Sequence, residues 1–157
     1  LVDSKTKNAI LHQLTSEDLI RYGLLPELVG RLPIVTTLNK LDKKDLKKVL
    51  TDVKNSIIIQ LKDILKIDGI DVNFGDDFYN TVAEKASKVD LGARALKSIL
   101  EEAMFSLMYN APDFNKKGIV AVNFDKYPDA NNFPLAVYED GREETLTNYK
   151  LYRGENE

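Results

Sequence analysis

Gly92-Ala93-Arg94-Ala95-Leu96-Lys97-Ser98-Ile99-Leu100-Glu101-Glu102-Ala103-Met104-Phe105-Ser106-Leu107-Met108 is the stretch that decides the fold. Leu96, Ile99, Leu100, Ala103, Met104, Leu107 and Met108 recur at helical spacing and hold one apolar face for about four turns. Met104 and Met108 lie on that stripe and are expected in the core. Ala111-Pro112 predicts the stop, because proline disfavours helix in the residue before it.

Working upstream, Gly75-Asp76-Asp77 opens a helix to Lys88 with acids in its first turn. Ile70-Asp71-Val72-Asn73-Phe74 alternates and predicts a short strand. Before the break at Asp68-Gly69, Leu46, Val49, Leu50, Val53, Ile57, Leu61, Ile64 and Leu65 follow helical spacing. They make one long helix or two with a bend. Downstream, Ile119 to Phe124 and Phe133 to Tyr138 read as strands joined by a Pro/Asn-rich turn. Phe114, Phe124, Tyr127 and Phe133 are expected to pack the small sheet. Residues from Arg142 on are polar and read as a fraying end.

The N-terminal part has a different pattern. Thr15-Ser16-Glu17-Asp18 is a helix start with a capping box, and Gly23 ends that helix. Leu24 to Gly30 predicts one short helix. Pro33-Ile34-Val35-Thr36-Thr37-Leu38 is short, apolar and β-branched, so it predicts a buried strand with Pro33 at its first position. Residues 1–13 read as a weak helix or a mobile lead-in, with His12 exposed to solvent. The composition shifts near Asn39-Lys40, which divides the chain into residues 1–40 and 41–157. The fold class expected is α+β: helix-rich, with a small sheet.

Composition excludes several functions. There is no cysteine and one histidine, which removes disulfides, thiolate metal sites and histidine-built triads. A net charge of −3 offers no match to a phosphate backbone, so no nucleic-acid partner is expected. The longest apolar run, Ser56-Ile57-Ile58-Ile59, is far short of the ~18 residues that a membrane span needs. The chain opens on Leu1 without a signal-peptide pattern and reads as a piece excised from a longer protein.

Two arginines are candidate phosphate contacts, and each also has a plain reading. Arg31 sits between Gly30, which allows an unusual backbone angle, and Pro33, which holds the exit extended. It either reaches outward or pairs with a local acid such as Glu27. Arg94 begins the strongest helix, well off its apolar stripe. A helix start favours anions, and a guanidinium adds a planar, bidentate donor for phosphate oxygens. The plain reading pairs Arg94 with Glu84 or Asp90.

Three blocks carry a family resemblance. They are Asp18 to Leu38, with Leu24-Leu25-Pro26-Glu27-Leu28-Val29-Gly30-Arg31-Leu32-Pro33; Leu50-Thr51-Asp52-Val53-Lys54-Asn55-Ser56-Ile57; and Leu91-Gly92-Ala93-Arg94-Ala95-Leu96-Lys97-Ser98-Ile99, followed by Met108-Tyr109-Asn110-Ala111-Pro112. In this order and spacing they resemble the ClpX family of AAA+ protein unfoldases, over roughly residues 15 to 112. The resemblance implies an AAA+ small (lid) domain at residues 41–157. It implies that residues 1–40 are the last helix and strand of the nucleotide-binding large domain.

The same resemblance implies a hexameric, ATP-driven unfoldase that feeds unfolded or tagged proteins to a ClpP-type peptidase in the bacterial cytoplasm. Its ATP sites lie between subunits. Arg31 matches the arginine finger, acting in trans on nucleotide held by the neighbouring subunit. Arg94 matches the sensor-2 arginine, with Ala93 beside it, and Leu50 matches the region near adenine. ATP or ADP with Mg2+ would be bound by the full-length protein.

Some features depart from the family. Val53 stands where the family usually has proline. Ala95 stands where glycine is common, which favours the helix by about 1 kcal/mol. The tail from Asp113 has no match to it. No Gly-x-x-x-x-Gly-Lys-Ser/Thr occurs, so no P-loop is present. This chain alone is therefore expected to bind no nucleotide firmly and to hydrolyse none. Two alternatives stand beside this reading: a lid of the related HslU unfoldase, and a free-standing α+β interaction module.

Overall fold

The fold was taken from a computed structural model, which describes residues 4–89 and 91–149. The chain divides into two units, residues 1–40 and 41–157.

The first unit holds α1 (Ser4–Leu11), α2 (Ser16–Tyr22) and α3 (Pro26–Val29). Thr15 caps α2 reciprocally: Asp18 N–H donates to its hydroxyl at 3.3 Å, and Thr15 N–H donates to the Asp18 carboxylate at 2.9 Å. The helix ends at Gly23. Pro26 begins α3, where its missing N–H costs nothing.

The predicted strand at Pro33–Leu38 does not form, and Ile34 and Leu38 are 82% and 86% exposed. A strand needs a neighbour for its N–H and C=O groups, and no described segment pairs with this one. His12 is exposed, as expected, and one tautomer satisfies both its contacts. Nδ1 accepts from Thr37 Oγ1 at 3.2 Å, and Nε2 donates to Asn39 Oδ1 at 3.3 Å.

The second unit runs α4 (Lys43–Thr51), α5 (Ile57–Ile67), β1 (Asp71–Phe74), α6 (Asp76–Lys88), α7 (Arg94–Lys116), β2 (Ile119–Phe124), β3 (Leu135–Tyr138) and β4 (Glu143–Thr145). The helical run after Asp42 is thus two helices. Proline does not break it; Asn55 turns the chain at φ 109, and Ser56 then caps α5 by accepting from Ile59 N–H.

The strands form one sheet in the order β1-β2-β3-β4. β1 pairs parallel with β2, and the other pairs are antiparallel. A parallel pair needs a long crossover, which α6 and α7 supply. Val72, Val122, Phe124 and Ala136 turn inward to meet Phe78, Val82 and Ala86 of α6 and Leu96, Leu100, Met104 and Leu107 of α7. Leu46 and Leu50 of α4 and Ile58, Leu61 and Leu65 of α5 complete the same core. Each fully buried side chain of this size contributes about 1.5–3 kcal/mol. Lys43–Glu84 and Lys47–Asp76 tie α4 to α6 at 3.0 and 2.6 Å, but exposed pairs add little, so the apolar seam holds these helices together.

Two expectations fail at the C-terminal end. α7 runs through Pro112 to Lys116 instead of stopping at Ala111. Proline removes one helical hydrogen bond, but packing holds the final turn. Ala111 is buried, Phe114 packs on the core, and Asn115 Nδ2 donates to the Asp68 carbonyl at the end of α5. Nor does the tail fray at Arg142. Glu143–Thr145 pairs with β3, and buried Tyr149 donates its hydroxyl to the Ala103 carbonyl of α7.

Gly75 sits at the corner between β1 and α6 and donates its N–H to the Phe124 carbonyl at 2.8 Å. A Cβ there would stand 2.7 Å from the Asp125 carbonyl oxygen and 2.9 Å from its Cα. Both are backbone atoms that cannot swing aside. Gly75→Ala is expected to destabilise the chain by about 1–3 kcal/mol through this overpacking, as read from urea unfolding. An unchanged midpoint would mean that the β2 end yields freely.

Candidate functional site

Arg31 follows α3 directly. Its N–H donates to the Leu28 carbonyl at 3.1 Å, and Leu32 N–H donates to Val29 at 3.1 Å. These turn bonds fix the arginine backbone. Gly30 has an ordinary helical conformation (φ −64, ψ −18), so the unusual angle that glycine allows is not used. The Arg31 side chain is exposed and forms no ion pair among the described residues, with Glu27 or any other acid.

Arg94 is the first residue of α7, and Ala93 is its N-cap. The turn ahead of them passes through Gly92 at φ 57, a left-handed conformation that side chains rarely adopt. Ala95 N–H and Leu96 N–H donate back into that turn at 3.2 Å each. No side chain caps α7, so the positive end of its dipole faces outward beside a guanidinium. Ala95 and Leu96 are buried while Arg94 is exposed, as its phase off the stripe predicts.

The plain reading of Arg94 loses its first partner. Glu84 accepts from Lys88 at 2.9 Å and from Lys43 at 3.0 Å, and these hydrogen bonds hold its carboxyl down at about 2. Asp90 lies outside the described residues. Arg94 forms no ion pair among the described residues.

Ala93 is half-buried against the core cluster. Leu50 is 2% exposed and is itself a core side chain of α4. The second unit therefore joins Leu50, Ala93 and Arg94 through one core, with only Arg94 presenting a polar group to solvent. Gly92 is the shaping residue that sequence reasoning passed over. Its signal was a lone glycine directly ahead of the periodic run.

The fit to a nucleotide is partial. An exposed arginine on an uncapped helix start suits phosphate oxygens. No cluster of three or more His, Cys, Asp or Glu placed to hold a metal occurs among the described residues. No helix among them is long and apolar enough to cross a membrane.

Helices packed over a small mixed sheet, with an arginine at the start of the longest helix, define an α+β AAA+ small domain. The chain belongs to the family described as the C-terminal, D2-small domain of ClpB protein, which matches residues 41–119. It is also similar to proteins named ATP-dependent Clp protease ATP-binding subunit ClpX. It is 42% identical to the one from Borrelia duttonii over 127 residues, which is 81% of this chain and 30% of that protein. For Bacteroides thetaiotaomicron the identity is 41% over 111 residues, 71% of this chain and 27% of the relative. For Treponema denticola it is 36% over 122 residues, 78% and 29%. The chain thus spans under a third of the length of these relatives.

Proposed function

We propose that this chain is the C-terminal portion of an ATP-dependent Clp unfoldase of the ClpX kind, and that it links nucleotide state to lid position in a hexameric ring. The observation that carries the reading is Arg94: an exposed guanidinium on the uncapped first turn of α7, with no ion-pair partner among the described residues, in a chain aligned over most of its length with ClpX proteins. In the sensor-2 role Arg94 grips phosphate oxygens of the nucleotide bound by its own subunit. The 23 residues of α7 run some 35 Å through the core. A pull on its first turn therefore moves the whole domain. Ala93 sets the turn beside the phosphates. Leu50 acts through the packing of α4 and not by direct contact.

Residues 1–40 are, in this reading, the end of the large domain, and Arg31 is the finger that reaches the γ-phosphate on the neighbouring subunit. ATP or ADP with Mg2+ is cradled mainly by parts of the full-length protein that this sequence does not contain, since it has no P-loop. The nucleotide supplies the phosphoryl group. This chain's own residues orient it and sense its charge. Alone, the chain binds nucleotide weakly and turns over none. The partners are the other subunits, a ClpP-type peptidase, and unfolded or tagged proteins in a bacterial cytoplasm.

Arg94→Lys in the full-length protein tests the reading. Lysine keeps the charge but cannot donate in a planar fork. Losing one charge-assisted hydrogen bond weakens nucleotide binding by about tenfold, measured by titration with a fluorescent ATP analogue, and slows unfolding of a tagged substrate. Unchanged affinity together with an unchanged unfolding rate would refute it.

A further inference from the structure

The hairpin between β3 and β4 turns through Glu139-Asp140-Gly141-Arg142. An Asp-Gly pair is where an aspartyl side chain most easily meets the next backbone nitrogen, because glycine has no Cβ to shield it. The Asp140 side chain is 53% exposed, and Gly141 is exposed at φ 82.

The carboxylate is held away from that nitrogen. One oxygen accepts from Arg142 N–H at 3.1 Å, and the other from Arg142 Nε at 2.6 Å. Gly141 N–H is turned to the Tyr138 carbonyl at 3.0 Å. Arg142 is itself braced, with its guanidinium 5.0 Å from the Tyr138 ring centre, while the Tyr138 hydroxyl donates to Glu144 at 2.7 Å.

We propose that Asp140–Gly141 is an isoaspartate-forming site of this protein, and that the Arg142 clasp is what slows the conversion. In the first step the Gly141 nitrogen attacks Cγ of the protonated Asp140 carboxyl. The amide proton and the carboxyl OH leave together as water, closing a five-membered succinimide. Water then opens the ring. Attack at one carbonyl restores aspartate; attack at the other leaves the backbone running through the side chain, with mass unchanged and no oxidant or reductant involved. Arg142 opposes the first step by occupying both carboxylate oxygens. The same hydrogen bonds hold the Asp140 carboxyl below its ordinary range and so keep it in the unreactive ionised form.

The consequence reaches beyond the turn. The longer backbone cannot keep Val137 opposite Glu143, so β4 loses its register. β4 leads directly to Leu146 and Tyr149, which pack the tail onto the core. The other Asp-Gly pair, Asp68–Gly69, serves as an internal comparison. There Asn115 lies against Gly69 and donates to the Asp68 carbonyl, bracing the peptide from outside.

The test is ageing at neutral pH of the wild-type chain and of R142A, R142K and D140E. Isoaspartate is counted by an isoaspartyl methyltransferase with labelled methyl donor and located by peptide mapping. An exposed charge pair is worth up to a factor of about five. The peptide with Asp140–Gly141 should therefore accept methyl groups about three- to fivefold faster in R142A than in wild type. R142K, which keeps the charge and the backbone N–H but loses the Nε contact, should fall between them. D140E should accept none at this peptide. If R142A is unfolded, R142K carries the comparison. Absence of isoaspartate at this turn in every variant, or equal rates in wild type and the folded Arg142 variants, would overturn the proposal.

Discussion

In the finger role proposed for Arg31, Arg31→Ala in the full-length protein is expected to lower ATP turnover by about a thousandfold while leaving nucleotide affinity nearly unchanged. The side chain springs from a backbone fixed by two turn hydrogen bonds, and no described acid neutralises it. Such a cation stabilises charge that develops on the transferring phosphoryl group. Its value therefore lies in the transition state and not in the ground-state complex, so kcat falls and affinity does not. Steady-state hydrolysis and equilibrium binding of a nucleotide analogue separate the two quantities. Near-normal turnover would remove Arg31 from the finger role and leave the family assignment of the second unit untouched.

Phe78→Ala carries the largest expected loss of stability, about 3–5 kcal/mol. Phe78 is fully buried on the inner face of α6. Its ring centre lies 4.6 Å from that of Phe74, 5.9 Å from those of Phe124 and Tyr127, and 6.1 Å from that of Tyr79. These rings come from β1, α6, β2 and the segment after β2, so the cavity would open where helix and sheet layers meet. Chemical unfolding of this chain measures the effect. A loss under about 1 kcal/mol would mean that the aromatic cluster repacks and does not set the geometry of the domain. Phe78→Leu should recover much of the loss, since it keeps most of the apolar volume.

Helix content, helix phase and caps were legible in the order of residues because each depends on neighbours within one or two turns. The Thr15–Asp18 capping box, the stripe on α7 and the exposure of Arg94 opposite Ala95 and Leu96 follow from local spacing alone. The short strands β1, β2 and β3 were legible for a similar reason: alternation and apolar runs between turn residues. So was the family, through three blocks of residues whose order and spacing are themselves sequence properties.

Tertiary structure decided what depends on distant partners. Pro33–Leu38 has the composition of a strand but no described segment to pair with, whereas Glu143–Thr145 is polar and exposed yet becomes a strand because β3 offers an open edge. Pro112 lies inside a helix because Asn115, Phe114 and Ala111 are held by α5 and the core, which outweighs one missing hydrogen bond. The same holds at the candidate site. Whether Glu84 was open to Arg94 turned on packing, and two lysines, one of them on another helix, engage that carboxylate. Local spacing sets which groups a segment presents; only packing brings together the partners, far apart in the chain, that satisfy them or leave them open.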